Sequence, residues 1–262
     1  MIEHKFKKQF GQNFISDKNL LSAIVQDAEI DENSEVLEIG AGAGTLTEEI
    51  SSQAKKVVSY EIDRDLQNHL MSLKLENVQF VFGDVMDFTT GQIEKSFAGN
   101  YKIIANLPYY ITTPIIFKFL NEATKLESLT IMVQKEVAER IVSNVGSKDY
   151  GVLSIMVKFF GNAKINRIVS RKMFYPQPNV DSAVVTIKID KNKYSQIDKN
   201  KFYRFIQAIF SMRRKTIKNN LTHAGITAEK LSKIDEKILS ARSETFEIDK
   251  LIDIYLKIVD CF

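Results

Sequence analysis

The first two-thirds of the chain alternates short β-rich apolar runs with segments whose apolar residues recur at helical spacing. Such alternation is typical of βα units, in which helices cover a parallel sheet. Seven strands are predicted at Glu35–Ile39, Lys56–Glu61, Val78–Phe82, Tyr101–Ala105, Leu129–Gln134, Lys164–Ser170 and Ser182–Ile189. Helices are predicted at Lys18–Ala28, Gly44–Gln53, Arg64–Leu75, Thr113–Glu122, Lys135–Ser143 and Gly151–Phe160.

The first strands are nearly continuous apolar runs, as expected when both faces of a sheet are covered. Only a proline-containing turn separates the last two strands, which favours an antiparallel hairpin at the sheet edge. The pattern therefore predicts an α/β fold with a seven-stranded, mostly parallel sheet.

After Ile189 the pattern becomes helical throughout. Apolar positions such as Phe205, Ile209 and Met212 recur at helical spacing within one long segment, 201–221, and two further helical segments follow at 228–239 and 247–259. We therefore predict two domains, an α/β domain over residues 1–189 and a small all-α domain over residues 190–262.

Composition narrows the function classes. No apolar run approaches the roughly 20 residues that span a bilayer, and the N-terminus lacks the apolar core of a secretory signal. The single cysteine, Cys261, excludes an intramolecular disulfide, and three scattered histidines form no metal-ligand pattern. We predict a cytoplasmic protein without a membrane partner or a metal. It is expected to be a monomer, because no heptad or extended apolar patch is evident.

Positive charge is concentrated in one block. Net charge is +3, but Lys188–Leu221 holds ten Lys and Arg against two Asp and Glu. Such a block suggests a polyanionic partner. A solvated helix face explains the same charges equally well.

A glycine-rich turn follows the first predicted strand. Gly40, Gly42 and Gly44 allow a sharp turn and close approach to a ligand, next to a helix N-terminus. Glu61 ends the next strand, where a carboxylate can accept both hydroxyls of a ribose. Asp84, after the third strand, is placed to accept a hydrogen bond from an adenine amine.

The spacing of this turn, Glu-x-Gly-x-Gly-x-Gly from Glu38 to Gly44, resembles the motif of Rossmann-like enzymes that use S-adenosylmethionine. Dinucleotide dehydrogenases use Gly-x-Gly-x-x-Gly instead. Another nucleotide ligand and a purely structural glycine turn remain alternatives.

The most specific motif is Asn106-Leu107-Pro108-Tyr109-Tyr110, after the fourth strand. The lone pair of an adenine N6 amine is delocalised into the ring. Two acceptors, one for each N–H, would pull the amine toward tetrahedral geometry and aim its lone pair at a methyl donor. The side-chain oxygen of Asn106 and the main-chain carbonyl of Leu107 are the candidates.

In this interpretation Pro108 fixes the turn and Tyr109 stacks on the base. Tyr110 either touches substrate or packs in the core. The alternative is a proline turn that ends a strand beside a half-buried tyrosine.

Segments across nearly the whole chain resemble the bacterial small-subunit (16S) ribosomal RNA adenine N6,N6-dimethyltransferases. These segments are Gln9–Phe14, Glu38–Gly42, Tyr60–Asp63, Asn106–Tyr110, Thr112–Pro114, Gly146–Gly151, Phe174–Ser182, Phe210–Thr216 and Asn219–Leu221. The resemblance implies a Rossmann-like methyltransferase domain followed by a helical RNA-binding domain. It also implies S-adenosyl-L-methionine as cofactor and S-adenosyl-L-homocysteine as product.

The resemblance assigns roles residue by residue. The cofactor-binding set is Gln12, Asn13, Ile15, Gly40, Gly42, Glu61, Ile62, Asp84, Val85 and Asn106. Phe174 would face Tyr109 across the target base as an aromatic clamp, although a Phe in a proline-rich turn more often serves packing. RNA contacts are expected on a C-terminal helix, from Arg213, Arg214, Lys215, Asn219 and Asn220.

The implied substrate is a pair of adjacent adenosines in the terminal hairpin loop of small-subunit rRNA, within an immature ribosomal particle. Each adenosine would receive two methyl groups. Loop bases are already partly unstacked, so extruding one costs less than from a duplex.

Three alternatives remain. The first is the related branch that methylates large-subunit (23S) rRNA and confers antibiotic resistance; Leu107, Tyr110 and Asp181 favour the small-subunit branch. A non-catalytic ribosome-assembly factor of the same fold is the second, and a dinucleotide dehydrogenase is the third. Two residues depart from the family pattern: Ala41 stands where relatives often carry Pro, and Tyr110 where many carry Asn.

Overall fold

The computed structural model describes residues 13–262. Nine strands occur in this range: β1 (Phe14–Ile15), β2 (Glu35–Ile39), β3 (Lys56–Glu61), β4 (Val78–Phe82), β5 (Tyr101–Asn106), β6 (Leu126–Gln134), β7 (Gly161–Val169), β8 (Phe174–Tyr175) and β9 (Ser182–Ile189). Seven of them form one sheet in the order β4-β3-β2-β5-β6-β9-β7. The predicted sheet is confirmed.

Strand order places a crevice at the carboxyl edge of the sheet. β2 pairs in parallel with both β3 and β5, so the chain leaves β2 toward one side of the sheet and leaves β5 toward the other. Ligands of open α/β sheets bind where strand order reverses in this way. β2 ends directly before Gly40 and β5 ends at Asn106.

The last two predicted strands are neighbours at the edge of the sheet. β9 pairs antiparallel with β6, with Gln134 opposite Ser182, and β7 is its neighbour at the edge. Arg167 on β7 forms an ion pair with Asp27, with 2.6 Å between Nε and Oδ2. This pair joins the edge strand to the first helix.

The predicted helices are present, all with shorter bounds except the one predicted at 113–122, which begins one residue earlier. They are α1 (Lys18–Asp27), α2 (Thr45–Ser51), α3 (Gln67–Ser72), α4 (Thr90–Glu94), α5 (Thr112–Glu122), α6 (Lys135–Ile141) and α7 (Val152–Phe160). A 3-10 turn, Arg64–Leu66, replaces the start of the predicted helix 64–75. Helix α4 was not predicted; its signal is a capping box in which Thr89 and Gln92 exchange hydrogen bonds.

Strands β1 and β8 form a small antiparallel pair that the sequence pattern did not predict. Each contains only two residues, too few for a readable alternation. Ile15 lies opposite Phe174, and both side chains are buried in a cluster with Leu21, Met132 and Val184.

The described chain divides into two compact units, one formed by residues up to 138 with 163–189 and the other by 139–162 with 190–262. One division falls at Ile189. Residues 139–162 were placed in the first domain, but they cluster with the second unit. The physical reason is aromatic packing within that unit: Phe159 of α7 stacks on Phe202, with ring centroids 4.8 Å apart.

The remaining helices of the second unit are α8 (Lys199–Ile209), α9 (Ile217–His223), α10 (Ala228–Leu231), α11 (Glu236–Ser240) and α12 (Ile248–Lys257). Two predicted helices are therefore broken, 201–221 by a turn at 210–215 and 228–239 between α10 and α11. Thr216 and Asp235 explain the restarts, because their side chains cap the first turns of α9 and α11. No helix within residues 13–262 is long and apolar enough to cross a membrane.

Candidate active site

A cavity lies in the first unit, at the carboxyl edge where β2 and β5 diverge. Three segments contribute most of its wall: the end of β1, the turn after β2, and the residues after β5. The lining residues are Asn13, Phe14, Ile15, Leu21, Gly40, Ala41, Gly42, Ala43, Thr45, Leu46, Glu61, Ile62, Asn106, Leu107, Pro108 and Tyr109. Most of the residues predicted from the sequence for cofactor binding and catalysis therefore meet in one place.

The glycine turn uses backbone angles that other residues rarely adopt. Gly40, Gly42 and Gly44 all have positive φ, at 86°, 56° and 81°. A Cβ on Gly42 would lie 2.7 Å from the ring of Phe14. The turn is therefore packed against an aromatic residue that the sequence analysis did not assign to the site.

Glu61 holds the turn from the neighbouring strand. Its Oε2 accepts a hydrogen bond from the Gly42 N–H at 2.7 Å, and its Oε1 accepts one from the Asp63 N–H at 2.7 Å. Burial raises the pKa of this carboxyl, and the two backbone hydrogen bonds oppose that rise. Each carboxylate oxygen retains a lone pair for a further donor such as a ribose hydroxyl.

Glu38 lies buried beneath the turn. Its Oε2 accepts from the hydroxyls of Thr47, at 2.7 Å, and Ser59, at 2.5 Å, while its Oε1 has no hydrogen-bond partner among residues 13–262. Burial is the largest cause that raises the pKa of Glu38 to about 7, and the charge of Glu61 raises it further. Glu38 thus joins β2, α2 and β3 through one carboxyl group that takes up a proton near neutral pH.

Asn106 is oriented by a hydrogen bond across the cavity wall. Its Nδ2 donates to the carbonyl oxygen of Asn13 at 2.9 Å, which fixes the plane of the amide. In the described part of the chain, neither Oδ1 of Asn106 nor the carbonyl oxygen of Leu107 has a hydrogen-bond partner. Two unused acceptors therefore lie on adjacent residues of the cavity wall.

Tyr109 is half-buried in the same wall. Its hydroxyl lies 2.9 Å from Oγ of Ser182, the first residue of β9. Burial raises the pKa of Tyr109 above its ordinary value, and the hydrogen bond with Ser182 opposes the rise. The side chain of Tyr109 therefore stays neutral at physiological pH.

Phe174 is not where the predicted aromatic clamp would need it. It is 5% exposed, belongs to the core cluster around Ile15, and is absent from the described lining of the cavity. The pleat of β8 is the reason, because successive side chains of a strand point to opposite faces. Tyr175, the next residue, is 70% exposed.

The remaining residues predicted for the site are absent from the described cavity lining. Oδ1 of Asp84 accepts from the Met86 N–H at 2.8 Å, and neither Asp84 nor the buried Val85 belongs to the described cavity lining. Tyr110 is 61% exposed, so it does not pack in the core. Gln12 lies outside the described residues.

A basic turn in the second unit carries the predicted RNA contacts. Arg213, Arg214 and Lys215 are exposed between α8 and α9 rather than on a helix. The Arg213 guanidinium donates to the carbonyl oxygen of Lys148, which belongs to the loop before α7. No hydrogen bond or ion pair within residues 13–262 engages the charged groups of Arg214 and Lys215.

Asn220 was predicted to contact RNA, but the structure contradicts this role because the residue is buried. Its Oδ1 accepts from the Met212 N–H at 2.9 Å and from the Ser211 hydroxyl at 3.0 Å, and its Nδ2 donates to the Met212 carbonyl at 3.3 Å. These bonds satisfy the backbone where α8 ends. Asn220 therefore shapes the basic turn from inside, whereas Asn219 is exposed.

Comparisons with known proteins match nearly the whole chain. The family model described as ribosomal RNA adenine dimethylase matches residues 3–256. A protein named ribosomal RNA small subunit methyltransferase A from Clostridioides difficile is 40% identical, covering 94% of this chain and 88% of its own length. One of the same name from Alkaliphilus oremlandii is 41% identical, covering 95% and 90%.

Solved structures share the fold. A dimethyladenosine transferase from Plasmodium falciparum has a TM-score of 0.81 at 24% identity, covering 95% of this chain and 98% of its own. The 23S rRNA methyltransferase ErmE has a TM-score of 0.70 at 22% identity, covering 94% and 100%. Because both substrate branches share this architecture, the fold alone does not separate them.

We expect Gly42→Ala to weaken binding of S-adenosylmethionine by about tenfold or more. A Cβ at this position meets the ring of Phe14 and imposes a backbone angle that costs roughly 1 kcal/mol in an L-residue. Calorimetric titration with the cofactor measures the effect. Gly91→Ala is the matched control, because a Cβ there meets nothing within 4 Å; equal affinities in the two variants would show that the turn does not hold the ligand.

Glu38→Gln is expected to remove a pH dependence of stability. The pKa of Glu38 is raised from 4.5 to about 7 in the folded state. Between these two pH values the folded protein keeps this proton, whereas the unfolded chain has released it. The stabilisation this gives is full below pH 4.5 and is lost as pH rises toward 7. Relative to that of the parent, the free energy of unfolding of the variant should therefore rise between pH 5 and pH 8, by up to about 3 kcal/mol.

Urea unfolding at several pH values measures that difference. A constant gap between variant and parent across this range would contradict a raised pKa at Glu38.

Proposed function

The chain belongs to the ribosomal RNA adenine dimethylase family, and on that premise we propose its substrate, its cofactor and the roles of its residues. As a member of the family it is an rRNA methyltransferase. We propose that it transfers methyl groups from S-adenosylmethionine to the N6 amines of two adjacent adenosines in the terminal hairpin loop of small-subunit rRNA. The single observation that supports this chemistry best is the pair of unused acceptors on Asn106 and Leu107.

The cavity fits the proposed cofactor. Glu61 offers carboxylate lone pairs to the ribose hydroxyls, and the glycine turn, whose positive φ angles an L-residue rarely adopts, lines the cavity beside it. Ile62 and Ile15 add apolar wall beside them. When bound, S-adenosylmethionine supplies an electrophilic methyl group.

Asn106 and Leu107 would hold the substrate amine. Oδ1 of Asn106 accepts one N6–H and the carbonyl oxygen of Leu107 accepts the other, so the nitrogen lone pair is directed away from the ring plane. An amide is no base at neutral pH, so these groups orient the amine and do not deprotonate it; the proton that the amine loses once it carries the new methyl group would pass to water. A monomethylated amine keeps one N–H, which either acceptor can hold during the second transfer.

The residues around this pair would position the base and the cofactor. Pro108 fixes the turn, and the carbonyl oxygen of Pro108 accepts a hydrogen bond from the Ile111 N–H at 3.2 Å. Tyr109 would stack on the target adenine, held by its bond with Ser182. Asp84 retains one oxygen without a partner in the described chain, so it can accept from the cofactor adenine amine.

The basic turn would bind rRNA phosphates. Arg214 and Lys215 are exposed, and their charged groups have no partner in the described chain, so both charges are available to a polyanion. Asn219 is exposed beside them. We propose that the protein acts as a monomer on an immature ribosomal particle, which in a bacterial cell is assembled in the cytoplasm.

The proposed reaction is tested by mass analysis of the RNA product. The purified protein is incubated with isotopically labelled cofactor and either undermethylated small-subunit particles or large-subunit rRNA. We expect N6,N6-dimethyladenosine at two adjacent positions of small-subunit rRNA. Labelling of large-subunit rRNA alone would overturn the substrate, and binding without any labelling would favour an assembly factor.

Asn106→Ala is the matched variant in this assay. We expect methyl transfer to fall by about 100-fold or more, because removing one preorganised hydrogen-bonding group has effects of that order. RNA binding should persist, since the basic turn is intact. Unchanged turnover would refute the acceptor role of Asn106.

Replacing Arg214 and Lys215 together with Gln is expected to weaken RNA binding and its dependence on salt. The slope of log affinity against log salt should become shallower by about 0.7 to 0.9 for each phosphate that the variant no longer neutralises. Arg213 is kept because it also holds the Lys148 loop. Filter binding over a salt series measures the slope.

Lys218→Gln is the control for this pair, because Lys218 is exposed nearby but is paired with Glu236 at 2.9 Å. Cofactor affinity should stay unchanged in all three proteins. A salt slope that does not differ between the double variant and the parent would show that RNA binds elsewhere.

A further inference from the structure

Tyr175 lies on the same face of the β1–β8 pair as Phe14, a residue of the cavity lining. Phe14 stands directly opposite Tyr175 in this antiparallel pair, and Ile15 stands opposite Phe174. Residues opposite each other in an antiparallel pair project to the same face, and successive residues project to opposite faces. Ile15 and Phe174 face the core, so Phe14 and Tyr175 share the other face.

Phe14 identifies what that other face looks onto. Its side chain lines the cavity, and its ring closes on the glycine turn at Gly42. Ile15 on the opposite face also lines the cavity, so it is the contact of Phe14 with the glycine turn that identifies this face. Tyr175 therefore projects to the side of the pair on which the Phe14 ring contacts Gly42. Tyr175 is absent from the described lining, so its ring lies outside the cavity, next to the lining residue Phe14, and we call this position the rim.

Tyr175 is displayed on a segment that the fold holds at both ends. Ladder pairing fixes β8 at the start, and the bond between Ser182 and Tyr109 fixes the other end. The Tyr175 side chain is nevertheless 70% exposed. An exposed aromatic ring on a fixed segment beside a binding cavity is typical of a stacking platform for nucleic-acid bases.

We propose that Tyr175 stacks on the nucleotide next to the target adenosine while the target base occupies the cavity beside Tyr109. This inference rests on the proposed function, in which two adjacent adenosines are methylated. The inner ring of Tyr109 and the rim position of Tyr175 give the two bases separate places. One base would be held at the rim while its neighbour is methylated, and Phe174 would serve the core.

The test compares Tyr175→Ala and Tyr175→Phe with the parent enzyme, using small-subunit particles as substrate. We expect Tyr175→Ala to raise the KM for RNA by about tenfold, the order of one missing base–aromatic stack. Tyr175→Phe should keep the parent KM, because stacking needs the ring and not the hydroxyl. Cofactor affinity and melting temperature should stay unchanged in both variants.

Ile168→Ala serves as a control, because it removes another exposed apolar side chain of the same unit, on β7. Its KM should equal that of the parent. A KM of Tyr175→Ala equal to the parent's, or an increase of the same size in Tyr175→Phe, would overturn the stacking role.

A hairpin RNA with an abasic nucleotide beside the target adenosine provides the second arm. On this RNA, Tyr175→Ala should behave like the parent, because the base it would stack on is missing. An undiminished tenfold gap on the abasic RNA would overturn the inference. If the enzyme methylates large-subunit rRNA instead, the proposed substrate fails, and the same comparison on that RNA decides the role of Tyr175 separately.

Discussion

The reversal of strand order between β2 and β5 is the constraint on which the site depends. The two strands run side by side in parallel, but the chain leaves them toward opposite halves of the sheet. The segments that follow the two strands therefore diverge, and a crevice remains between them at the carboxyl edge of the sheet. The glycine turn after β2 and the Asn106 segment after β5 form two of its walls, although Gly40 and Asn106 are 66 positions apart in the chain.

Below the crevice, buried carboxyl groups hold the surrounding elements together. Glu61 accepts from the turn itself, and Glu38 joins the elements on either side of it through hydroxyl groups of Thr47 and Ser59. Two carboxylates this deeply buried disfavour each other's ionisation, and the pKa of Glu38 rises to about 7 as a result of burial and of this repulsion. The turn is thus supported by carboxyl groups whose pKa values burial raises.

Polar side chains also shape the surfaces that meet RNA in the proposed function. Ser182 anchors Tyr109, and Asn220 satisfies the backbone where α8 ends, so that the next residues form an exposed turn. Neither residue needs to touch a ligand. In both cases a small buried polar group determines the position of an exposed or cavity-lining neighbour. Each of the two lies within a sequence motif that also contains a residue predicted to contact RNA, so the sequence alone does not separate the two roles.

Sequence by itself determined the seven-stranded sheet and the turn at Gly40, because periodicity and glycine spacing report local backbone preferences. The motif around Asn106 likewise indicated a hydrogen-bonding site from its residue types alone. Only the tertiary structure decided which neighbours face the cavity: it buried Phe174, exposed Tyr175, and moved residues 139–162 into the helical unit. Those outcomes depend on strand pairing and on aromatic contacts between segments far apart in the chain. A motif within one segment does not show which distant segment it will pair with or pack against.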